Sequence, residues 1–434
     1  MTHSVSTCEA TARWRYLLYR LCTGRFGLRF LYPLLRAFCR RDSSPGFLHH
    51  LYPWLVAETR AQPPPSVDGR HVLIIRPDHI GDFLYSLPAM GRLREGLAAG
   101  DSLSVLIDPC NAALAERLNL FDQIFVFRIF GEDGQKLLPS RREFETLKAT
   151  VGHVDVAIDL RPDGHSGLIL ERLMPRTTYR ISNRQADIVS RLGKLGASAL
   201  ASKPEKPTEH WFYSRAIEAA RTRLMFEFAD AVAVALGAAG PAPFNDAAQE
   251  TAELLRQHFP RQGDGTVVFC PEARNTDKEW PAADMQSLVA EVIRRGYRLR
   301  IIGQRKSPAF PGVPPTWDLR GRTTLLEALE MVASASAFIG FDSGPAHFAG
   351  LVGVPAVTIF NGTTEPRLWA GVHTDGLGWT VSPKDWKEDG CEAGHSVDHD
   401  SAGISTRSQA ALCAFETCVA ASARRGVHQG TSGG

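Results

Sequence analysis

Residues 71–82 read HVLIIRPDHIGD, and this stretch decides the fold of the 434-residue chain. Its first six residues form a nearly unbroken apolar run of strand length, which is typical of a parallel strand that is buried on both faces. A turn containing Pro77 and Gly81 follows, and a helical pattern of apolar residues continues over 83–97. A strand, a turn and a helix in this order predict the first unit of a doubly wound α/β domain.

The same unit recurs along the chain on both sides of a glycine- and proline-rich stretch, LGAAGPAPF at 236–244. Such a stretch is typical of an interdomain linker. Apolar, strand-like runs occur at 103–107, 123–127 and 154–160 before it, and at 266–270, 297–302, 337–340 and 354–360 after it. Helical patterns cover 285–295, 324–335 and 409–424, the last with Ser405 as its cap. The sequence therefore predicts two Rossmann-like parallel-sheet domains.

These patterns divide the chain into four parts. We expect a basic N-terminal extension with a proline-rich linker over 1–66, an N-terminal domain over 67–240 and a C-terminal domain over 241–400. A final helix and a disordered tail occupy 401–434.

The N-terminal extension carries most of the positive charge of the protein. Residues 11–41 hold eight arginines and no acid, and the rest of the chain has 41 Lys and Arg against 47 Asp and Glu. Apolar residues recur there at helical spacing, and an amphipathic helix with an arginine-rich face suits an anionic membrane surface. The alternative is a helix that packs on the domain and leaves its arginines in solvent.

Composition indicates a globular protein, with 44% hydrophobic and 22% charged residues. Arginines interrupt the N-terminal apolar stretches too often for a signal peptide, and no stretch predicts a spanning helix. The eight cysteines are scattered without a CxxC pair, which favours reduced thiols in a cytoplasmic protein.

The first motif is RPDHIGD at 76–82, directly after the first strand. Open α/β sheets bind ligands at the carboxyl ends of their strands, so a polar loop at this position suits a functional site. Gly81 permits close approach of a ligand, and Asp82 lies at a helix start. The alternatives are that Asp82 only caps the helix and that Arg76 and Asp78 form an ion pair that steadies the loop.

The second motif is DSGPAH at 342–347, after the strand-like run AFIG. Pro345 suits the first turn of a helix because its ring fixes φ and it has no N–H to leave unpaired. The N–H groups of Ser343 and Gly344, at the positive end of a helix dipole, could bind a diphosphate. The alternative is an ordinary helix start with a polar His347 in its first turn.

The third motif is CPEARNTDKEWP at 270–281, after the strand-like run TVVFC. A basic side chain in a loop at the mouth of the second sheet could neutralise a phosphate leaving group. The alternative is that Lys278 is exposed and has no function.

Several motifs of other functional classes do not occur in the sequence. There is no GxGxxG after the first strand and no Walker A motif, which argues against dehydrogenases and P-loop NTPases. There is also no HExxH or clustered His and Cys set for a metal, and no GxSxG nucleophile elbow.

Taken in their order along the chain, the three motifs resemble the signatures of glycosyltransferase family 9, the ADP-heptose:lipopolysaccharide heptosyltransferases. The segment from Ile75 to Ala89 is similar to I-[RK]-x-D-x-[ILM]-G-D-x-x-x-x-x-P-A, and residues 277–281 (DKEWP) to T-K-x-W-P. Residues 340–347 (GFDSGPAH) resemble G-x-D-[ST]-G-x-x-H. The likeness spans roughly 70–425. Two positions depart from the family pattern: Glu272 replaces a glycine, and the acid that follows the next strand is absent at 303–307 (GQRKS).

The resemblance implies the two-domain GT-B fold and an inverting glycosyl transfer from a nucleotide sugar, such as ADP-heptose, without a bound metal. Asp82 matches the general base of the family, and Arg76, Asp78 and Gly81 belong to the loop on the acceptor side. The implied donor-binding residues are Ala273, Arg274, Lys278, Asp342, Ser343, Gly344 and His347. The implied partners are the nucleotide sugar and a lipid-linked or surface-glycan acceptor, and nucleic acid is not among them.

Two other functions remain open at this stage. A GT-B-like sugar-nucleotide epimerase or hydrolase would share the donor cleft but need no acceptor. A membrane-docked protein that binds a glycan or nucleotide without catalysis is the non-enzymatic alternative.

Overall fold

A computed structural model describes residues 69–129, 139–161, 166–182, 208–213, 221–304, 309–387 and 405–430. The predicted membrane-binding extension at 1–66 and the end of the predicted disordered tail at 431–434 lie outside these residues. Within the described part, no helix is both long enough and apolar enough to cross a membrane.

The first sheet has six parallel strands in the order β3-β2-β1-β4-β5-β6. This is the strand order of dinucleotide-binding Rossmann folds. The strands are β1 (His71–Arg76), β2 (Ser102–Ile107), β3 (Gln123–Val126), β4 (Val156–Asp159), β5 (Thr177–Ser182) and β6 (Thr208–Tyr213). The helices of this half are α1 (Ile80–Glu95), α2 (Ala112–Leu118), α3 (Arg141–Val151), α4 (Gly167–Leu173) and α5 (Arg221–Leu236).

The second sheet has five parallel strands in the order β11-β10-β9-β7-β8. Its strands are β7 (Thr266–Cys270), β8 (Arg298–Ile301), β9 (Ala337–Phe341), β10 (Ala356–Ile359) and β11 (Gly378–Val381). The accompanying helices are α6 (Phe244–His258), α7 (Ala282–Arg294), α8 (Leu325–Ser334), α9 (Gly344–Val352), α10 (Pro366–Trp369), α11 (Pro383–Lys387) and α12 (Thr406–Gly430). The prediction of two parallel α/β sheets is thus confirmed.

The strand order explains where the three sequence motifs lie. In a doubly wound sheet, the crevice forms where the order reverses, at the carboxyl ends of the central strands. The order reverses beside β1 in the first sheet and between β7 and β9 in the second. The RPDHIGD, CPEARNTDKEWP and DSGPAH motifs follow β1, β7 and β9 respectively, so all three lie at a reversal.

Three of the eleven described strands were not predicted, namely β5, β6 and β11. The sequences of β5 (TTYRIS) and β6 (TEHWFY) mix polar and apolar residues, and β11 has only four residues at the edge of its sheet. None of them has the apolar run that identifies a central parallel strand. The final helix was predicted, with Ser405 accepting a hydrogen bond from the N–H of Ser408, but it extends to Gly430.

The two halves share one continuous apolar core. Phe83 and Leu87 of α1 belong to the same cluster as Phe348 and Leu351 of α9. Helix α1 also packs against α5 and α6. The two sheets are therefore joined by direct helix packing beside the crevice.

One expectation about the cysteines is wrong. Cys413 of α12 is disulfide-bonded, whereas Cys110, Cys270 and Cys418 are free thiols. The scattered spacing of cysteines in the sequence does not show which of them the fold brings together.

Candidate active site

Asp82 lies in the first turn of α1 with its side chain 28% exposed. The helix begins at Ile80, and no side chain caps its N-terminus. Instead of binding backbone N–H groups, Oδ1 of Asp82 accepts a 2.7 Å hydrogen bond from the hydroxyl of Tyr85. Nη2 of Arg76 lies 3.5 Å from the same oxygen. Asp82 therefore does not cap the helix, in contrast to the first alternative from the sequence.

Arg76 and Asp78 form the buried base of this loop. The Arg76 side chain is 2% exposed, and its Nη1 lies 3.0 Å from Oδ2 of Asp78 and donates to the carbonyl of Leu160 at 2.9 Å. Burial alone would lower the pKa of Arg76, but Tyr85, Asp78 and Asp82 more than offset this, so the pKa is raised above its ordinary value. Asp78 also pairs with Arg161. These contacts fit the ion-pair reading, in which the two residues hold the loop in place.

Lys278 and Asp342 form an ion pair on the opposite side of the crevice. Lys278 closes a short 3-10 turn after β7, and its Nζ lies 2.6 Å from Oδ2 of Asp342, which follows β9. The hydroxyl of Thr364 donates to the same oxygen at 3.0 Å, and Nε2 of His347 lies 3.5 Å from Oδ1. Burial alone would raise the pKa of Asp342, but His347 and Lys278 outweigh it and lower the pKa to about 2. Asp342 is therefore ionised at neutral pH and fixes the position of the ammonium group.

Ser343 and Gly344 begin α9 beside this pair. Ser343 is the N-cap residue, and it makes no side-chain capping bond to the helix. Pro345 occupies the first turn, as the sequence predicted. A helix N-terminus without a side-chain cap presents N–H groups and a positive dipole end, a combination that binds anions.

The two halves of the site meet at Gly81 and Gly344. A Cβ placed on Gly81 would lie 3.5 Å from the nitrogen of Gly344, and one on Gly344 would lie 3.3 Å from the nitrogen of Gly81. The ring of Tyr85 contacts His347 edge-on, with 5.9 Å between centroids, and contacts Trp369 at 6.3 Å. Nζ of Lys278 lies 5.9 Å from the Trp369 ring centroid. A chain of contacts therefore runs from Asp82 through Tyr85 and Trp369 to Lys278. The space between Asp82 and Lys278 is the gap of the candidate site.

Ala273 and Arg274 lie in the loop after β7. The buried Ala273 donates its N–H to Oε1 of Glu279 at 2.9 Å, which shapes the loop. Arg274 is exposed, and its charge acts on His79 in the loop after β1. Burial, and after it the charge of Arg274, lower the pKa of His79 to about 4. Arg274 therefore adds positive charge to the gap.

Glu272, one of the two departures from the family pattern, lies at the mouth of the second sheet. Its Oε2 accepts a 2.5 Å hydrogen bond from the N–H of Gln304, in the turn after β8. Its Oε1 lies 3.7 Å from Nη1 of Arg320. The carboxylate of Glu272 thus lies at the turn after β8, where the family pattern has an acid that this sequence lacks.

Sequence reasoning did not identify Tyr85, Thr364 or Trp369, which contact Asp82, Asp342 and Lys278 in the candidate site. Tyr85 follows Asp82 by three residues on one helix, and this spacing could have indicated the contact. Thr364 and Trp369 lie in a segment without a recognised pattern. Among the described residues, no group of three or more His, Cys, Asp or Glu side chains is arranged to hold a metal ion.

Comparison with known protein sequences gives a family and several relatives. The model of glycosyltransferase family 9 (heptosyltransferase) matches residues 185–381. Lipopolysaccharide heptosyltransferase 3 of Escherichia coli is 30% identical over 116 residues, which are 25% of this chain and 34% of that protein. Lipooligosaccharide heptosyltransferase 2 of Haemophilus influenzae is 28% identical over 130 residues, or 27% and 37% of the two chains. The matches thus span about a third of the length of these relatives.

Solved structures with the same fold cover far more of the chain. The glycosyl transferase family 9 protein from Veillonella parvula DSM 2008 aligns with a TM-score of 0.53 and 16% identity, over 82% of this chain and 98% of that one. The E. coli heptosyltransferase WaaC with ADP aligns with a TM-score of 0.51 and 17% identity, over 72% and 93%. These likenesses show the GT-B fold. Over residues 185–381, this chain is similar to glycosyltransferase family 9 (heptosyltransferase), in agreement with the three ordered signatures.

Proposed function

We propose that the protein is an inverting glycosyltransferase. It moves a heptose-like sugar from a nucleotide-sugar donor to a lipopolysaccharide-type or other glycan or lipid acceptor, with Asp82 as general base. The observation that carries the proposal is the shared gap, with the Asp82 carboxylate on one side and the Lys278–Asp342 pair and the start of α9 on the other. The match of residues 185–381 to the model of family 9 and the similarity to relatives named heptosyltransferases support it.

The donor diphosphate is assigned to the second half of the protein. The N–H groups at the start of α9 and the ammonium of Lys278 offer complementary positive charge, and Arg274 adds more. Asp342 contributes by holding Nζ of Lys278 at 2.6 Å from its Oδ2. It does not touch the phosphates, because their negative charge would repel its carboxylate. ADP-heptose is the proposed donor, since the related E. coli enzyme WaaC has been solved with ADP.

The proposed reaction is a single displacement. Asp82 takes the proton of the acceptor hydroxyl as the hydroxyl oxygen attacks the anomeric carbon. The bond from that carbon to the diphosphate oxygen breaks, and the nucleoside diphosphate leaves with the bonding electron pair. Lys278 and the α9 N–H groups stabilise the charge that develops on the leaving group. The proposal assigns no step to a bound metal.

The acceptor and the location of the enzyme follow from the sequence only. A lipid-linked acceptor would lie at the cytoplasmic face of the inner membrane, and the arginine-rich residues 11–41 would hold the enzyme there. Because those residues lie outside the described part of the chain, the membrane contact stays a prediction.

Asp82→Asn and Lys278→Ala test the proposal. We expect Asp82→Asn to lower kcat by about 10²- to 10⁴-fold, the usual contribution of a general base. Lys278→Ala should lower kcat/KM by about 10²-fold through loss of leaving-group stabilisation. The assay measures nucleoside diphosphate release from ADP-, GDP-, UDP- and CDP-sugars in the presence of a lipopolysaccharide-core acceptor.

Two matched substitutions away from the gap control for general effects. Asp246→Asn at the exposed start of α6 and Lys148→Ala on α3 should leave turnover unchanged. If Asp82→Asn and Lys278→Ala remain folded and as active as these controls, the assigned mechanism is wrong. Consumption of a nucleotide sugar without transfer to the acceptor would instead favour an epimerase or a hydrolase.

A further inference from the structure

Tyr85 lies between the proposed base and the rest of the site. Its side chain is buried, its hydroxyl donates to Oδ1 of Asp82 at 2.7 Å, and it accepts from Nη2 of Arg76 at 2.6 Å. The Arg76 guanidinium also lies 5.1 Å from the centroid of the Tyr85 ring. One side chain thus connects a buried cation to the proposed catalytic carboxylate.

The direction of this hydrogen-bond chain is determined by chemistry. A guanidinium can only donate, so the Tyr85 hydroxyl must accept from Arg76 and direct its own hydrogen to Asp82. Burial raises the pKa of Tyr85 well above its ordinary value, so the hydroxyl keeps this hydrogen at neutral pH. The donor to Asp82 is therefore permanent under working conditions.

The two oxygens of Asp82 consequently differ. Oδ1 accepts from Tyr85 and lies 3.5 Å from Arg76, whereas Oδ2 has no hydrogen-bond partner among the described residues. The side chain is 28% exposed, so the carboxylate is accessible from the gap. A general base needs one oxygen that is fixed in direction and free to accept a proton.

We propose that Tyr85 is the positioning residue of the base: its hydroxyl holds Oδ1 of Asp82 and so presents Oδ2 to the acceptor hydroxyl. The proposal rests on the proposed function, in which Asp82 takes the proton. The Tyr85 ring contacts His347 and Trp369 of the second half, so the base is oriented where the two halves meet.

Tyr85→Phe tests this role because it keeps the ring and its contacts and removes only the hydroxyl. We expect kcat to fall about 10- to 100-fold, as misplacement of a catalytic group does, with KM for the nucleotide sugar within about twofold. Tyr297→Phe is the matched control, since Tyr297 packs on Phe415 ahead of β8, at the opposite end of the sheet from the gap. It should leave both constants unchanged.

A double-mutant cycle separates positioning from simple support of the fold. If Tyr85 acts through Asp82, adding Tyr85→Phe to Asp82→Asn should change the residual kcat by less than about twofold. An equal loss in both backgrounds, or an unchanged kcat in Tyr85→Phe alone, would overturn the positioning role while leaving Asp82 as the base. Full activity of Asp82→Asn, or no turnover by the wild-type protein, would instead overturn the proposed function and this inference with it.

A second variant covers the case in which Tyr85→Phe fails to fold because a buried donor of Arg76 loses its acceptor. Site-specific 3-fluorotyrosine at position 85 keeps the hydroxyl and makes it a stronger donor. We expect kcat to change by about twofold or more with KM unchanged, because hydrogen bonds to a charged carboxylate are sensitive to donor strength. An unchanged kcat would contradict the proposal.

Discussion

At the scale of single residues, Gly81 and Gly344 determine how closely the two halves approach. A side chain on Gly344 would place its Cβ 2.4 Å from Cγ2 of Ile80, which is closer than any real contact. On Gly81 the nearest atom would be Cδ2 of His347 at 3.2 Å, which is tight but less severe. The two glycines of the sequence motifs therefore serve a packing role between helices as well as any role toward the donor.

Gly344→Ala should push the start of α9 away from α1. We expect the free energy of unfolding to fall by about 1–3 kcal/mol, as for other overpacked sites, and turnover to fall as the gap widens. Gly91→Ala is the matched control because Gly91 lies within α1 with no atom near its missing Cβ. There we expect a gain of up to about 1 kcal/mol from helix propensity. Chemical denaturation measures both, and equal effects would contradict the contact.

At the scale of elements, Asp230 ties together α1, α5 and the linker between the two halves. Its Oδ1 accepts from Nε of Arg92 on α1 at 2.8 Å and from the N–H of Ala242 in the linker at 3.0 Å. Arg92 also donates to the carbonyl of Gly240 in the same linker. The chain is therefore anchored where it passes from the first sheet to the second.

Asp230→Ala should destabilise the protein because it leaves the buried Arg92 with fewer partners. Removing one partner of a buried ion pair costs about 3–5 kcal/mol, and Glu95 offsets part of this, so we expect about 2–3 kcal/mol. The control is Glu227→Ala on the same helix, where an exposed pair with Arg223 is worth less than about 1 kcal/mol. Urea unfolding of both variants gives the comparison, and a loss in Asp230→Ala no larger than that of the control would contradict the anchor.

At the scale of the whole molecule, the largely enclosed ring of His373 couples stability to pH. Burial, and after it the charge of His347, lower the pKa of His373 to about 4. Above pH 6.5 the ring is neutral in both the folded and the unfolded state, so it makes no difference to stability. As the pH falls from about 6.5 to about 4, the unfolded chain binds a proton that the folded protein excludes. Stability is therefore lost across this window.

His373→Gln should flatten the dependence of stability on pH. A lowered pKa of this size corresponds to about 3 kcal/mol of unfolding free energy lost between pH 6.5 and pH 4 in the wild-type protein, and the variant should lack that loss. Between pH 7 and pH 8 the two proteins should give parallel curves, whatever the constant cost of the substitution. Urea titrations at several pH values provide the measurement. Parallel curves down to pH 4 would contradict the low pKa.

The sequence by itself determined the class of fold and indicated the loops of the candidate site. Apolar runs such as HVLIIR at 71–76 encode burial on both faces, and this local property identifies a central parallel strand without knowledge of its neighbours. The loops after β1, β7 and β9 were identified for the same reason, because glycine, proline and charged residues directly follow such runs. Edge strands such as β11 lack this signal and were missed.

Only the tertiary structure decided which residues meet. Lys278 and Asp342 pair across 64 positions of sequence, and Tyr85 contacts Trp369 from the other half. These contacts depend on the strand order and on the packing of α1 against α9, which no local pattern encodes. Local sequence determines whether a residue is buried or turns the chain, whereas the partner of a polar group depends on elements that are distant in the sequence and adjacent in space.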